Sequence, residues 1–484
     1  MSDLDFKTIS QKAVRGVFSL TIRRIVLLAI NFITLNIVLA KILPVPTLGI
    51  FVIANSILAF FSFFSDIGLA GAIIQKKNNI TQDDLKTTFT IQEILTGIIV
   101  IIVFIFAPFF ANIYNLSSSS VWLIRALAFG FFMTSLKVIP SVILERHLNF
   151  NKLVWVEVIE TLVFNGMLIW LIFGGFGIEA FTYSVVARSI IGFVVIYILS
   201  PWKISFGFSR SSAKSLLNFG LPYQLNSLLA LLKDRLVPLV IAGLVGTYGI
   251  GYISQGQRLA FLSLEVMNII TRVTFPVFSR LQDNAEGLKT TLEKSLFAMG
   301  LFLYPLLFGT LAISPVLVKY LGEAKWSPAL PLVYLFGVTA FWATLSSPFT
   351  NFLNATGKIK ITLKLMVMWT ALEWALTPLV VLKFGFLGMG YSSALISFTS
   401  IIPIFIIKKI IKVEIIGNIW QPIFASVLMA VIVFYLSTLF PARSIFILIT
   451  IVLGGLVYFG IIYLIAKEKI KTNLKELLNA FFNR

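Results

Sequence analysis

The chain has 484 residues, 58% of them hydrophobic and 12% charged, with 39 Lys and Arg against 20 Asp and Glu and a formal net charge of +19. A mean hydropathy of +0.97 exceeds what a soluble domain can hide in a core, so the class is an all-α polytopic membrane protein. No cysteine is present, which excludes disulfides, thiolate metal sites and thiol catalysis together.

Met1–Gln11 is polar with mixed charge, and no small-residue cleavage site follows the first apolar run, so no cleaved leader is expected. A helix needs about 20 mostly apolar residues to cross the hydrocarbon. Fourteen such spans can be drawn, seven of them near 18–40, 48–72, 88–111, 121–143, 153–173, 178–199 and 218–244. The other seven lie near 249–276, 293–317, 329–352, 361–382, 387–407, 419–440 and 444–466. Connections such as LPVPTLG, IYNLSSSS and FGGFGIE are short, and none is long enough for a separate domain. His147, the single histidine, ends span 4 beside Arg146 and reads as a solvated residue.

Lys and Arg collect in cytoplasmic loops. With the N-terminus inside, most of the 39 fall on that side: Lys76/Lys77, Lys358/Lys360/Lys364, Lys408/Lys409/Lys412 and a basic tail. Both termini are therefore expected in the cytoplasm. The surplus of positive charge reports topology and an anionic inner leaflet rather than a nucleic-acid partner. The stretch LLALLKDRLVPLV (Leu228–Val240) tests this reading, because three consecutive charges interrupt span 7. Were Lys233–Arg235 a loop, every later basic loop would face outward, so the triplet is expected inside one span.

Three echoes point to a duplication. DLKTTFTIQEILTG (Asp84–Gly97) matches GLKTTLEKSLFAMG (Gly287–Gly300), and LAKILPVPTLGIF (Leu39–Phe51) parallels IAGLVGTYGIGYI (Ile241–Ile253), pairing Gly49 with Gly251. AFGFFMTSLKVIP (Ala128–Pro140) resembles LFGVTAFWATLSSP (Leu335–Pro348). The unit is six helices, an even number, so both copies cross in the same direction. That is a transporter architecture with the substrate site between halves. The expected organisation is a lobe at 1–205, a second at 206–413, related by a parallel pseudo-two-fold repeat, and two further helices with a basic tail at 414–484.

Ionised side chains at mid-bilayer cost about 2.5–3.5 kcal/mol on insertion scales, so they normally face a cavity or a partner. Arg258, Glu265 and Arg272, seven apart, form one stripe on a straight helix, which Gln255 and Asn268 widen. Lys233 and Arg235 point to opposite sides of a straight helix, so one faces the lumen and the other meets an acid. Asn31, Phe32 and Ile33 take the matching places in span 1, which makes the lobes electrostatically unequal. Arg125, Lys137, Arg188, Glu93, Glu157, Glu160 and Glu373 are further in-span charges whose partners the sequence does not fix. ATGKIK (Ala355–Lys360) lacks the upstream Gly and the following Ser or Thr of a P-loop, so no nucleotide site or other cofactor is expected.

SDIGLAGAIIQKKN, IPSVILERHLNFNKL, GTYGIGYISQGQRL, VTFPVFSRLQDN and YLGEAKWSPALPL occur in this order between residues 10 and 410. Together they resemble the Wzx-type oligosaccharide flippases of the multidrug/oligosaccharidyl-lipid/polysaccharide exporter superfamily. The resemblance implies two six-helix lobes that alternate between inward-open and outward-open states in the bacterial inner membrane. It implies a substrate made of an oligosaccharide on undecaprenyl pyrophosphate, destined for a surface polysaccharide. Such a headgroup gives buried Arg and Lys a physical reason, since Arg can bond it bidentately. The substrate-site candidates are Arg24, Lys233, Arg235 and Arg258, and Asp66, Asp234 and Glu265 are candidates for ion or proton coupling. The expected partners are the lipid-linked oligosaccharide, membrane lipids and polysaccharide polymerase or export machinery, with the chain itself a monomer and no enzyme. Two rival readings are a multidrug antiporter of the same superfamily, which would favour an acid-rich cavity, and a membrane glycan polymerase or ligase, which should carry a long charged outer loop.

Overall fold

In the computed structural model, residues 26–482 are described except 28, 66, 67, 76–79, 148 and 218–230; the side chains of 35, 36, 75, 234, 235 and 470–482 are also outside the description. Every regular element among the described residues is helical. In hydrocarbon the backbone has no water to bond, so an open chain can cross only as helices that satisfy their own N–H and C=O groups.

The first half runs α1 (Ala29–Ile42), α2 (Val45–Ser62), α3 (Leu69–Gln75), α4 (Gln82–Ile113), α5 (Ser118–Leu136), α6 (Val138–Arg146), α7 (Phe150–Phe173) and α8 (Ile178–Leu199). It is followed by α9 (Val237–Ala260), α10 (Leu262–Arg280), α11 (Ala285–Trp326), α12 (Leu330–Ala355), α13 (Ile359–Phe384), α14 (Leu387–Ile410), α15 (Ile416–Leu439) and α16 (Ser444–Phe482). Among the described residues eleven helices are long and apolar enough to cross a membrane. The difference from fourteen apolar runs lies partly in how segments join, and much of the runs at 18–40 and 218–244 falls outside the described residues. α11 and α12 belong to one helical run, Ala285–Ala355, bent at Gly322 (φ 118, ψ 98), and α9 changes direction at Gly246 (φ 65, ψ −171). Both bends use the left-handed region that glycine alone enters without a Cβ penalty.

The chain divides into two compact units, Met1–Gly251 and Tyr252–Arg484. This division follows packing, whereas the one expected at 205/206 follows the repeat copies. In the first unit α5 lies against α2, α4 and α8, and α7 against α8. Leu69 and Ile73 of α3, Leu85 and Phe89 of α4 and Ile139 and Val142 of α6 form a buried cluster. The motifs SDIGLAGAIIQKKN and IPSVILERHLNFNKL therefore meet each other. Arg146 Nη1 closes the contact by donating to the Ile73 carbonyl at 2.8 Å. His147 is exposed, and its Nδ1–H donates to the Ile143 carbonyl at 2.7 Å, a helix-end role.

The extended segment after α8 is fastened to α4. Gly207 N–H donates to Thr90 Oγ1 at 3.0 Å and Ser209 N–H to Thr87 Oγ1 at 2.9 Å, while Trp202 and Phe206 lie against Phe89. These hydroxyls satisfy backbone donors of a segment with no ladder of its own.

In the second unit α11 is central, flanked by α10, α12, α15 and α16. Spans 13 and 14, which lie outside the repeat, dock here as α15 and α16. Phe297, Ile313 and Val316 of α11 pack with Ala425, Met429 and Val433 of α15 and Tyr458 and Ile462 of α16. Tyr458 OH donates to the Leu301 carbonyl at 2.7 Å. Helices in lipid gain little from burying apolar surface alone, so close packing and such interhelical bonds hold them. Trp170, Phe173, Ile198 and Leu464 remain exposed, the belt that lipid covers.

The first of the three sequence echoes falls on two capped helix starts. Thr81 caps α4 by accepting from Asp84 N–H at 3.2 Å, and Asp84 Oδ2 accepts in return from Thr81 N–H at 3.0 Å. At the matching place Asn284 caps α11, accepting from Gly287 N–H at 2.9 Å. Asp84 gives way to Gly287, so the second copy keeps the cap and loses the reciprocal half of the box.

Candidate functional site

Arg24 and Asp66 lie outside the described residues. The backbone of the charged triplet is described, and it is not a regular α-helix: Leu232–Leu236 forms π-helical turns that lead into α9. Lys233 is half-buried there, and the side chains of Asp234 and Arg235 are outside the description. A second set of π turns, Ile33–Leu39, occupies α1. The alignment that pairs Gly49 with Gly251 also makes the two sets overlap at Ile33/Arg235 and Thr34/Leu236. A π turn bonds i to i+5 and winds more loosely than an α-helix, and such turns recur at functional sites. The straight-helix argument that sets Lys233 opposite Arg235 does not apply across them.

Arg258 and Gln255 stand three residues apart near the end of α9, neighbours on one helix face. Nη1 of Arg258 is buried and has no hydrogen-bond partner among the described residues. Nε2 and Oε1 of Gln255 are buried and unpartnered in the same way, with only 2% of the residue exposed. Buried polar atoms are nearly always bonded, and each exception requires a cause. Two adjacent exceptions, one a cation and one an amide, are the arrangement that an anionic, hydroxyl-rich ligand would satisfy.

The stripe read through Arg258, Glu265 and Arg272 is interrupted. The chain leaves α9 at Phe261 (φ −88, ψ 3) and restarts as α10, so the seven-residue spacing crosses a break. Glu265 is half-buried and Arg272 exposed. Further along α10 a small polar ladder joins α12: Asn351 Nδ2 donates to Thr274 Oγ1 at 2.8 Å and to the Thr271 carbonyl at 3.4 Å.

The first unit holds charges of the opposite character. Lys137, at the end of α5, donates to Glu160 Oε1 on α7, and Arg188 Nε on α8 stands 3.8 Å from Glu160 Oε2. Gly192 makes room for that carboxylate: a Cβ there would lie 1.7 Å from Glu160 Oε1. Glu93 Oε2 of α4 accepts from Ser135 Oγ at 3.0 Å, and Asn165 Nδ2 donates to Asn31 Oδ1 at 3.1 Å. Arg125, by contrast, lies over the rings of Phe104 and Trp122 and donates to the Phe104 carbonyl at 3.3 Å. Sequence reasoning named all these charges and paired none. The usable signal was depth, since Glu93 and Glu160 sit at similar distances from the starts of α4 and α7, close to where α5 ends at Lys137.

Outside the spans, burial pushes the Glu145 carboxyl above its ordinary range, and the nearby Glu157 charge adds to this. A cavity of about 230 Å³ opens beside the bend of α9, lined by Tyr114, Asn115, Gly246, Thr247 and Tyr248 among others.

A model of the family described as polysaccharide biosynthesis protein matches residues 38–331. The chain is 25% identical to the lipopolysaccharide biosynthesis protein WzxC of Escherichia coli strain K12, covering 75% of this chain and 74% of that one. It is 24% identical to the teichuronic acid biosynthesis protein TuaB of Bacillus subtilis strain 168, covering 62% of each chain. A solved structure of the lipid II flippase MurJ, in an inward closed conformation, shares the fold with a TM-score of 0.71 at 15% identity, over 94% of this chain and all of that one.

Proposed function

Taking as premise that this chain belongs to the polysaccharide biosynthesis protein family, we propose that it is an alternating-access flippase. It moves an oligosaccharide linked to undecaprenyl pyrophosphate from the cytoplasmic to the periplasmic leaflet for surface-polysaccharide synthesis. The chain is a multi-pass protein of the bacterial inner membrane, acting as a monomer with both termini cytoplasmic and handing its cargo to polymerase machinery. Relatives named for lipopolysaccharide and teichuronic acid synthesis and a fold shared with a lipid II flippase support this reading. Arg24, Lys233, Arg235 and Arg258 meet the pyrophosphate along its path. Asp66, Asp234 and Glu265 carry the coupling ion or proton during the return step.

The observation that carries the proposal is the pair Arg258 and Gln255, whose buried donors have no partner among the described residues. A pyrophosphate supplies acceptor oxygens to the guanidinium, and the glycan supplies hydroxyls to the amide. A bond to a charged group contributes about 1.5–3 kcal/mol, so losing it should slow transport by roughly 10–100-fold. Arg258→Ala should abolish most polymer export at unchanged protein level in the membrane, Arg258→Lys should retain part of it, and Lys233→Ala should reduce it. Full export by Arg258→Ala and Lys233→Ala would end the headgroup-binding proposal.

A further inference from the structure

The second echo, which pairs Leu39–Phe51 with Ile241–Ile253, assigns Val45 to Thr247 and Gly49 to Gly251. The four residues meet in space, all within the first compact unit. A Cβ built on Gly49 would lie 1.9 Å from the Thr247 carbonyl oxygen and 3.1 Å from the Thr247 Cα. A Cβ built on Gly251 would lie 2.6 Å from the Val45 carbonyl oxygen and 2.6 Å from Val45 Cγ1. Each glycine thus rests on the backbone of the residue that the repeat assigns to the other glycine's neighbour. The two contacts exchange under the repeat, as an isologous contact does under a two-fold axis.

Local structure explains how this contact forms. Val45 is the first residue of α2, after Pro44, and Thr247 is the first after the bend at Gly246, which has φ 65. Two helix starts therefore cross with glycine one turn in from each, and only glycine permits backbones so close. Gly97, which also lies in a span, has nothing within 4 Å of where its Cβ would be. Close contact is thus not general to glycines of the spans, and at Gly49 and Gly251 it falls on each other's aligned backbone.

We propose that Gly49 and Gly251 form a reciprocal latch that shuts the periplasmic mouth during transport. This rests on the flippase reading and its orientation, which put both helix starts at the outer side. Cargo leaves there, so the latch must part in each cycle and close again before the next load. A methyl group on either glycine meets main chain rather than a flexible side-chain end, and keeps the latch from closing.

The chain has no cysteine, so a single introduced thiol reports the latch without background. Val45 is 3% exposed and lies against Gly251; Ile250, 4% exposed, gives a second reporter. Val45→Cys and Ile250→Cys, each chosen in a background that still exports polymer, are labelled in intact cells with a membrane-impermeant maleimide. Gly49→Ala or Gly251→Ala should raise labelling at both reporters by roughly threefold or more, as expected for a shifted two-state population. Polymer export should fall at unchanged protein level, and Gly97→Ala should change neither readout. Unchanged labelling in both glycine variants, or raised labelling with undiminished export, would overturn the latch. Labelling does not depend on which headgroup is carried, so wild-type export by the Arg258 variants would remove the cargo reading and leave this result standing.

Discussion

Two buried polar groups, one in each unit, are held in opposite ways. In the first, Lys137, Glu160 and Arg188 stand together on three helices, and Gly192 gives up its side chain to seat the carboxylate. In the second, Nη1 of Arg258 and the amide of Gln255 are buried and find no partner among the described residues. The contrast separates charges that hold helices together from a guanidinium nitrogen without a partner among the described residues, the feature on which the proposed headgroup contact rests. Removing one member of a buried pair leaves a charge in low dielectric, whereas removing an unpartnered cation relieves the fold of one.

That comparison can be broken in graded steps. Lys137→Ala strands Glu160 with only the more distant Arg188, and up to about 3–5 kcal/mol of stability is at stake. The expected result is a large loss of folded protein, read as a lower midpoint in detergent thermal unfolding and weak accumulation in the membrane. Gly192→Ala should reproduce part of this, about 1–3 kcal/mol, without changing any charge, because its methyl group displaces the Glu160 carboxylate. A smaller effect is expected where the C-terminal helices dock. Tyr458→Phe removes the bond to the Leu301 carbonyl, costs about 0.5–1.5 kcal/mol, and should lower the unfolding midpoint while export persists. The smallest concerns the caps: Thr81→Ala should cost about 1 kcal/mol, and more than Asn284→Ala, since only Thr81 closes a reciprocal box.

Much of the helical framework was legible because hydropathy and loop charge act over whole segments. Gln82–Ile113, Ser118–Leu136, Phe150–Phe173, Ile178–Leu199, Ile359–Phe384, Leu387–Ile410, Ile416–Leu439 and Ser444–Lys469 lie where apolar stretches were drawn, and Thr81 and Asn284 cap helices at positions that the first echo aligns. What escaped depended on single dihedrals or on rotation about a helix axis. Gly246 and Gly322 bend the chain inside the connections drawn at 245–248 and 318–328, but the helix runs on to either side of each bend rather than ending in a loop. The π turns at Leu232–Leu236 alter which way Lys233 faces, and Phe261 breaks the Arg258–Glu265 stripe, although both segments are helical by composition. The pairing of Lys137 with Glu160 needed both depth and azimuth, and the sequence supplies only depth. Arg258 and Gln255 were legible as a polar pair on one face; their lack of partners was not, since that depends on what the rest of the unit brings to them.

The central claim is that Arg258 is held unpaired for a pyrophosphate while Lys137 is paired for the fold. Thermal unfolding of the purified full-length protein, with and without undecaprenyl pyrophosphate, tests both halves at once. A ligand at a hundredfold its dissociation constant adds about 2.7 kcal/mol to the bound state, enough to move the midpoint measurably. The account predicts that the ligand raises the midpoint of the wild type and of Lys137→Ala, the latter from a lower start. It predicts that Arg258→Ala starts at or above the wild-type midpoint and gains little from the ligand. Equal stabilisation of Arg258→Ala and wild type would contradict it.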